Sequence, residues 1–176
     1  KDMSKIKLFS GMDFSGKTTI INGINEKMPS KFSIKKKFLT PIDLIENVRK
    51  RDTWLSPEEW KPLLQENIQK DIKEYKENGL ILLDSLWIIK YLAGKIEKND
   101  KQDEEEIIIL KELLKKYPEM DSFYITVSMN ERIKRFQARA KSGNEITGSD
   151  KLIMDTDKFE RREQIYKKIV LEYFPN

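Results

Sequence analysis

The sequence contains no cysteine and no histidine. Without cysteine there is no disulfide, no thiolate metal site and no cysteine nucleophile, a composition compatible with the cytoplasm. Without histidine the commonest general base and metal ligand is missing, so acid–base work falls to Asp, Glu, Lys or Tyr. Long apolar runs are lacking as well. Stretches such as Leu80 to Leu83 are far too short to span a bilayer. No signal peptide is expected, and Lys1 and Asp2, ahead of Met3, are set aside as an addition outside the fold. Charge of one sign is scarce too. Thirty-four basic residues against thirty acidic ones leave a net charge of +4, too mild to imply a nucleic-acid-binding field. A cytoplasmic protein with neither a membrane nor a nucleic acid as partner is the expectation.

What is present fits one globular domain. The 176 residues are 38% hydrophobic and 36% charged, enough to bury a core without staples beneath long polar helix faces. Lys5 to Ser10 reads as a first strand, Gly11 to Ser15 as a loop, and Gly16 to about Met28 as a helix striped by Ile20, Ile21, Ile24 and Met28. Phe32 to Leu39 reads as a second strand, at the sheet edge because of Lys35 to Lys37. Pro41 to Arg51 looks helical. Ser56-Pro57-Glu58-Glu59 starts a long helix with a capping box, and Trp60, Leu64, Ile68, Ile72 and Tyr75 stripe it.

Leu80 to Asp84 is a short apolar run ending in an acid, as a buried parallel strand would be. A helix over Ser85 to Ile96, a charged linker or helix start over Lys98 to Glu106 and a helix over Ile107 to Tyr117 follow. Ser122 to Val127 reads as another strand, the segment from Met129 to Ala140 as a helix, Lys141 to Asp150 as a polar loop, and the segment from Phe159 to Tyr173 as the last helix. Strands alternating with helices predict an α/β fold of three layers, a parallel sheet of about four to five strands with helices on both faces.

Gly11-Met12-Asp13-Phe14-Ser15-Gly16-Lys17-Thr18 fits G-x-x-x-x-G-K-[ST], between a predicted strand and a predicted helix as that motif requires. The glycines let the backbone curl so that its N–H groups point at phosphate oxygens. The helix that follows adds free N–H groups and a partial positive charge. Lys17 can reach the β- and γ-phosphates, and the Thr18 hydroxyl can join a magnesium shell. Three classes use such a loop. GTPases add an Asn-Lys-x-Asp base-reading motif, which is not found here. Motor ATPases follow the acid of their second motif with a catalytic glutamate, whereas Asp84 is followed by Ser85. A small kinase using ATP and Mg²⁺ remains.

These residues resemble the thymidylate kinase family. Gly11-x-Asp13-x-x-Gly16-Lys17-Thr18-Thr19 looks like its phosphate loop. Asp84 falls where the family has Asp-Arg. Tyr124 to Val127, then Glu131, Lys134-Arg135-Phe136 and Arg139, resembles its strand, helix and arginine-bearing lid, here about residues 139–151. Phe159, Arg162 and Tyr166 are similar to a helix motif of the family. The resemblance implies a single three-layer P-loop kinase domain. It implies that Gly11, Asp13, Phe14, Ser15, Gly16, Lys17, Thr18 and Thr19 hold ATP together with Arg135 and Arg139. Related kinases are commonly dimers, so a homodimer is one arrangement open to this chain. Two acceptor-side departures stand out. The family's Arg-Glu-Pro is Leu39-Thr40-Pro41 here, and its Asp-Arg is Asp84-Ser85. Those arginines grip the acceptor's phosphate in the family. Arg49 or Arg51 could replace them, or the acceptor carries no phosphate there. The family also continues past the position of Asn176 with a strand whose loop holds adenine, which leaves base selectivity at the donor open.

For the chemistry, Lys17, Mg²⁺ and the lid arginines are expected to stabilise charge on the transferring group. Arg135 and Arg139, four residues apart, share a helix face. Arg132 ranks below them. Asp13 and Asp84 are the two candidate bases, with Asp84 also a candidate to hold magnesium through water. Pro41, Arg49, Asp13, Asp84, Trp87 and Tyr91 are the candidate acceptor contacts. The leading expectation is a kinase of a nucleoside monophosphate or nucleoside, thymidylate first. A kinase of another small hydroxyl compound, such as a modified nucleoside or antibiotic, and a non-catalytic nucleotide-binding module are the alternatives.

Overall fold

The computed structural model describes residues 5–36, 56–77, 79–146, 148 and 150–176. The expected helix over Pro41 to Arg51, and with it Pro41, Arg49 and Arg51, lies outside the described residues.

Four strands form one parallel sheet in the order β2-β3-β1-β4, where β1 is Ile6–Ser10, β2 Phe32–Lys36, β3 Leu80–Asp84 and β4 Asp121–Tyr124. This is the lower bound of the four to five expected. The order places the β1 and β3 C-termini side by side at the centre, with Phe9 opposite Asp84. Among the described strands β2 is an edge, as its lysines suggested. Helices link the strands: α1 Lys17–Lys27, α2 Pro57–Glu77, α3 Trp87–Lys98, α4 Glu104–Leu114, α5 Met129–Lys141 and α6 Thr156–Tyr173.

The pleat sorts the core. Ile6 and Leu8 of β1 and Ile81 and Leu83 of β3 face a large apolar cluster that includes Ile88, Ile89 and Leu92 of α3, Leu110 and Leu113 of α4 and Tyr166, Ile169 and Val170 of α6. Phe9 and Leu82 point the other way, onto Ile21 of α1. Helices therefore cover both faces, which makes three layers.

Several boundaries differ from the sequence reading, each for a local reason. β4 stops at Tyr124 rather than Val127. Its partner β1 ends at Ser10 and curls into the loop, so Ile125 N–H makes one last bond, 2.7 Å to Ser10 O, and then has no strand to follow. α3 starts at Trp87 rather than Ser85. Ser85 has φ 60° and donates its N–H to Phe9 O at 2.9 Å, a left-handed step that extends the ladder and cannot begin a helix. α4 starts at Glu104, inside the charged segment read as a linker or helix start, where Glu104, Glu105 and Glu106 suit the positive end of a helix. At the start of α2 the capping box is half visible: the Ser56 N–H donates to the Glu59 carboxylate at 3.0 Å.

Candidate functional site

The site forms where β1, β3 and β4 all end. Leaving the sheet after Ser10, the chain must turn sharply beneath residue 125. A Cβ on Gly11 would lie 2.4 Å from the Ile125 carbonyl oxygen, so no larger residue fits there. Phe14 and Gly16 both take left-handed conformations, with φ 63° and 90°. Gly16 then sits at the N-cap of α1, and the first-turn N–H groups of the helix face into the loop.

Lys17 folds back over this loop and donates to Gly11 O at 2.7 Å. The Thr18 hydroxyl donates to Asp84 Oδ2 at 3.0 Å, which ties the first turn of α1 to the end of β3. Asp84 is buried. Asp13, Lys17, Thr18, Asp84 and Arg139 line one cleft of about 300 Å³ along with Phe14, Ser15, Gly16, Thr19 and Asp150. On the other side of the loop a recess of about 440 Å³ is lined by Thr19, Ile20, Ile125, Thr126, Val127 and Arg135, among others. A larger groove, about 630 Å³, lies between α5 and α6 and is walled by charges such as Asp157, Glu160 and Arg161. It does not include the loop, and we place the site at the loop on chemistry rather than size.

Three cations fix the loop from outside. Arg132, 1% exposed, donates to Asp13 O at 2.8 Å and to Glu163 Oε2 at 2.6 Å. Arg135 donates to Phe14 O at 3.0 Å and pairs with Glu131 one turn back. Lys90 of α3 donates to both carboxylate oxygens of Asp13, at 2.9 and 2.8 Å. Arg139 donates to Glu145 O at 3.2 Å and stands 4.0 Å from Asp150, so it bridges helix and loop. The segment expected as a lid, residues 139–151, thus begins inside α5 and ends in a 3-10 turn at Asp150–Met154.

Trp87 and Tyr91 stack on each other, with centroids 4.8 Å apart and planes 12° from parallel. Glu106 accepts from the Tyr91 hydroxyl at 3.3 Å and pairs with Lys95 at 2.8 Å. Burial of Lys95 opposes its charge, but bonds to Asp103 and Glu106 outweigh burial and raise its pKa. The aromatic pair packs against the core and does not line the loop cleft. Beneath the loop, burial pushes the Tyr166 phenol up to about 12, against the pull of the neighbouring Ser10 hydroxyl and Gly11 backbone. Tyr166 is therefore neutral at working pH and is no general base. Arg162 donates to Glu97 at 3.4 Å, joining α6 to α3 away from the cleft.

Of the sequence candidates, Asp13, Phe14, Ser15, Gly16, Lys17, Thr18, Thr19, Asp84 and Arg139 come together, and Arg135 stands on the far side of the loop. Lys90 escaped the sequence reading. The one signal was its position three residues after Trp87, which makes it a neighbour of that candidate on the helix surface. The roles of Arg132 and Glu163 left no signal, since the partners are 31 residues apart.

Solved structures of similar shape include two thymidylate kinases and a deoxyadenosine kinase. A thymidylate kinase from Candida albicans superposes with a TM-score of 0.64 at 20% identity, over 95% of this chain and 78% of that one. The deoxyadenosine kinase from M. mycoides, solved with bound dATP, gives 0.60 at 18%, over 95% and 84%. The chain has the fold of these P-loop kinases. A thymidylate kinase from Ehrlichia chaffeensis agrees, with 0.54 at 14% identity over 98% and 91%. No family model and no curated protein matches the sequence. The P-loop kinase fold explains why the loop, the Asp84 strand end and α5 converge: in open α/β sheets ligands bind beyond the carboxyl ends of the strands.

Proposed function

We propose that the chain is an ATP- and magnesium-dependent phosphotransferase whose acceptor is a nucleoside monophosphate or nucleoside, with thymidylate the leading acceptor. The observation that carries this reading is the 3.0 Å contact between Thr18 and Asp84 in the cleft that also holds Lys17 and Arg139. The phosphate loop accounts for the donor. The acceptor class is supported by the kinase structures that share the fold.

Magnesium fits this donor set. The Thr18 hydroxyl and the Asp84 carboxylate are hard oxygen ligands. Among the described residues no group of three or more metal-ligating side chains occurs, as suits an ion that takes most of its shell from phosphate and water. When bound, it would neutralise charge on the β- and γ-phosphates.

The chain's own residues do the rest. The loop's N–H groups orient the triphosphate. Lys17 exchanges the Gly11 carbonyl for a phosphate oxygen, and Arg139, with Arg135 behind the loop, adds positive charge. Phosphoryl transfer depends mainly on such positioning and charge neutralisation. Asp84 serves either as the magnesium ligand or as the base, and Asp13, whose two oxygens Lys90 holds, fits orienting the acceptor hydroxyl. The domain is single, with the 139–151 segment as its lid, and works in the cytoplasm. Among the described residues no helix is long and apolar enough to cross a membrane.

A nucleoside acceptor has an observation in its favour. Ser85 replaces the arginine that would grip a phosphate, and its left-handed backbone aims the chain straight into α3. ADP release from Mg·ATP with a panel of nucleosides, nucleoside monophosphates and small alcohols tests all of this. Stimulation by thymidylate alone supports the leading acceptor, and stimulation by nucleosides alone the other. ATP binding without any stimulation would refute the kinase reading in favour of a non-catalytic module.

A further inference from the structure

A loop that binds phosphates is an unfavourable place for an acid, yet Asp13 lies in the middle of this one. Its main-chain oxygen is held by Arg132 at 2.8 Å, so the residue cannot swing away from the loop without breaking that bond. Phosphates entering the loop bring several negative charges close to its carboxylate, and at partly buried positions such repulsion is weakly screened.

The charge is met by Lys90. Its ammonium donates to Oδ1 and Oδ2 of Asp13 at 2.9 and 2.8 Å, and the two side chains are only 24% and 21% exposed. Lys90 projects from α3, one turn after Trp87, whose ring stacks on Tyr91. The Lys95, Asp103 and Glu106 contacts anchor the same helix further along. The ammonium is thus delivered by a rigid element.

We propose that Lys90 is a positioning residue for this site: it neutralises Asp13 and fixes its carboxylate, which allows an acid to stand inside a phosphate-binding loop. The inference rests on the reading of the loop as a nucleotide site. It assigns Lys90 a role through Asp13, on the acceptor-side helix, rather than a direct grip on the triphosphate. Removing Lys90 takes one positive charge and two hydrogen bonds from the Asp13 carboxylate, whose negative charge then opposes the nucleotide more strongly. Removing the Asp13 charge as well takes away the reason for Lys90.

The test is equilibrium binding of a non-hydrolysable ATP analogue with magnesium to the full chain, by calorimetry, for four proteins. Lys90→Met should weaken binding about tenfold, and more at low salt than at high salt. The double variant Asp13→Asn/Lys90→Met should bind more tightly than Lys90→Met alone, because the charge conflict is gone. Lys90→Arg, which keeps the cation, should bind as the wild type does and covers the case in which Lys90→Met fails to fold. Wild-type binding with no loss in Lys90→Met overturns the inference alone, as does a double variant as weak as Lys90→Met or an arginine variant that binds poorly. A wild type that binds no nucleotide overturns the nucleotide reading, and the inference with it.

Discussion

Replacing Arg132 by methionine probes how the loop is held. The guanidinium is 1% exposed and donates to Asp13 O at 2.8 Å, to Glu163 at 2.6 Å, to Thr126 at 3.0 Å and to Val127 O at 3.3 Å. It also lies 4.9 Å over the Phe159 ring. Methionine keeps most of the stem's packing but removes the donor to two carbonyls and the nearest cation to Glu163, which keeps Thr126 at 3.4 Å and Lys167 at 3.8 Å. Removing one partner of a buried pair costs about 3–5 kcal/mol. For a chain of this size that lowers Tm by on the order of 10 °C, readable in a calorimetric or circular-dichroism melt. Adding Glu163→Gln should recover about 1 kcal/mol, since the charge that has lost its nearest cation is then gone. Should Arg132→Met not fold, Glu163→Gln alone should still cost about 1–3 kcal/mol. A melting point within about 3 °C of the wild type for Arg132→Met, or strictly additive effects in the double variant, would refute the claim that this pair pins the phosphate loop.

Three further predictions concern the site and its surroundings. Asp84→Asn keeps an oxygen for the Thr18 hydroxyl but removes the charge, so turnover should fall about a hundredfold while ATP affinity changes little; unchanged steady-state turnover would sink the assignment. Gly11→Ala places a methyl 2.4 Å from a backbone carbonyl that cannot step aside, so nucleotide binding should be lost along with about 1–3 kcal/mol of stability. Wild-type binding would contradict the loop geometry. Tyr166 has its pKa raised from 10.0 to about 12. An acid that titrates higher when folded stabilises the protein fully below its unfolded pKa and loses that contribution as pH rises through the folded one. Unfolding should therefore follow phenolate absorbance between about pH 10 and 12, and Tyr166→Phe should lessen the alkaline loss.

The phosphate loop was legible because its constraints are local. Gly11, Gly16, Lys17 and Thr18 are fixed by spacing, and the strand before and helix after them by periodicity. Asp84 was legible because a buried strand that ends in an acid is conspicuous. What the sequence hid depends on partners far apart along the chain. Lys90 meets Asp13 from 77 residues away, and Arg132 is spent on Glu163 and the Asp13 carbonyl. Boundaries failed where tertiary contacts override periodicity. Ser85 reads as helical by pattern, yet its N–H is claimed by Phe9 O. Thr126 and Val127 read as strand, yet β1 has already turned away. The acceptor candidates Pro41 and Arg49 fall outside the described residues, and of the other acceptor candidates Asp13 and Asp84 line the loop cleft.

The central claim is that the Gly11–Thr18 loop passes the γ-phosphate of ATP to a small acceptor. Incubating the protein with γ-labelled ATP, magnesium and thymidylate or a nucleoside, and identifying the labelled product, tests it most directly. The label should appear on the acceptor with the wild type and not with Lys17→Ala. Label found only in inorganic phosphate, or transfer that survives Lys17→Ala, would contradict the account.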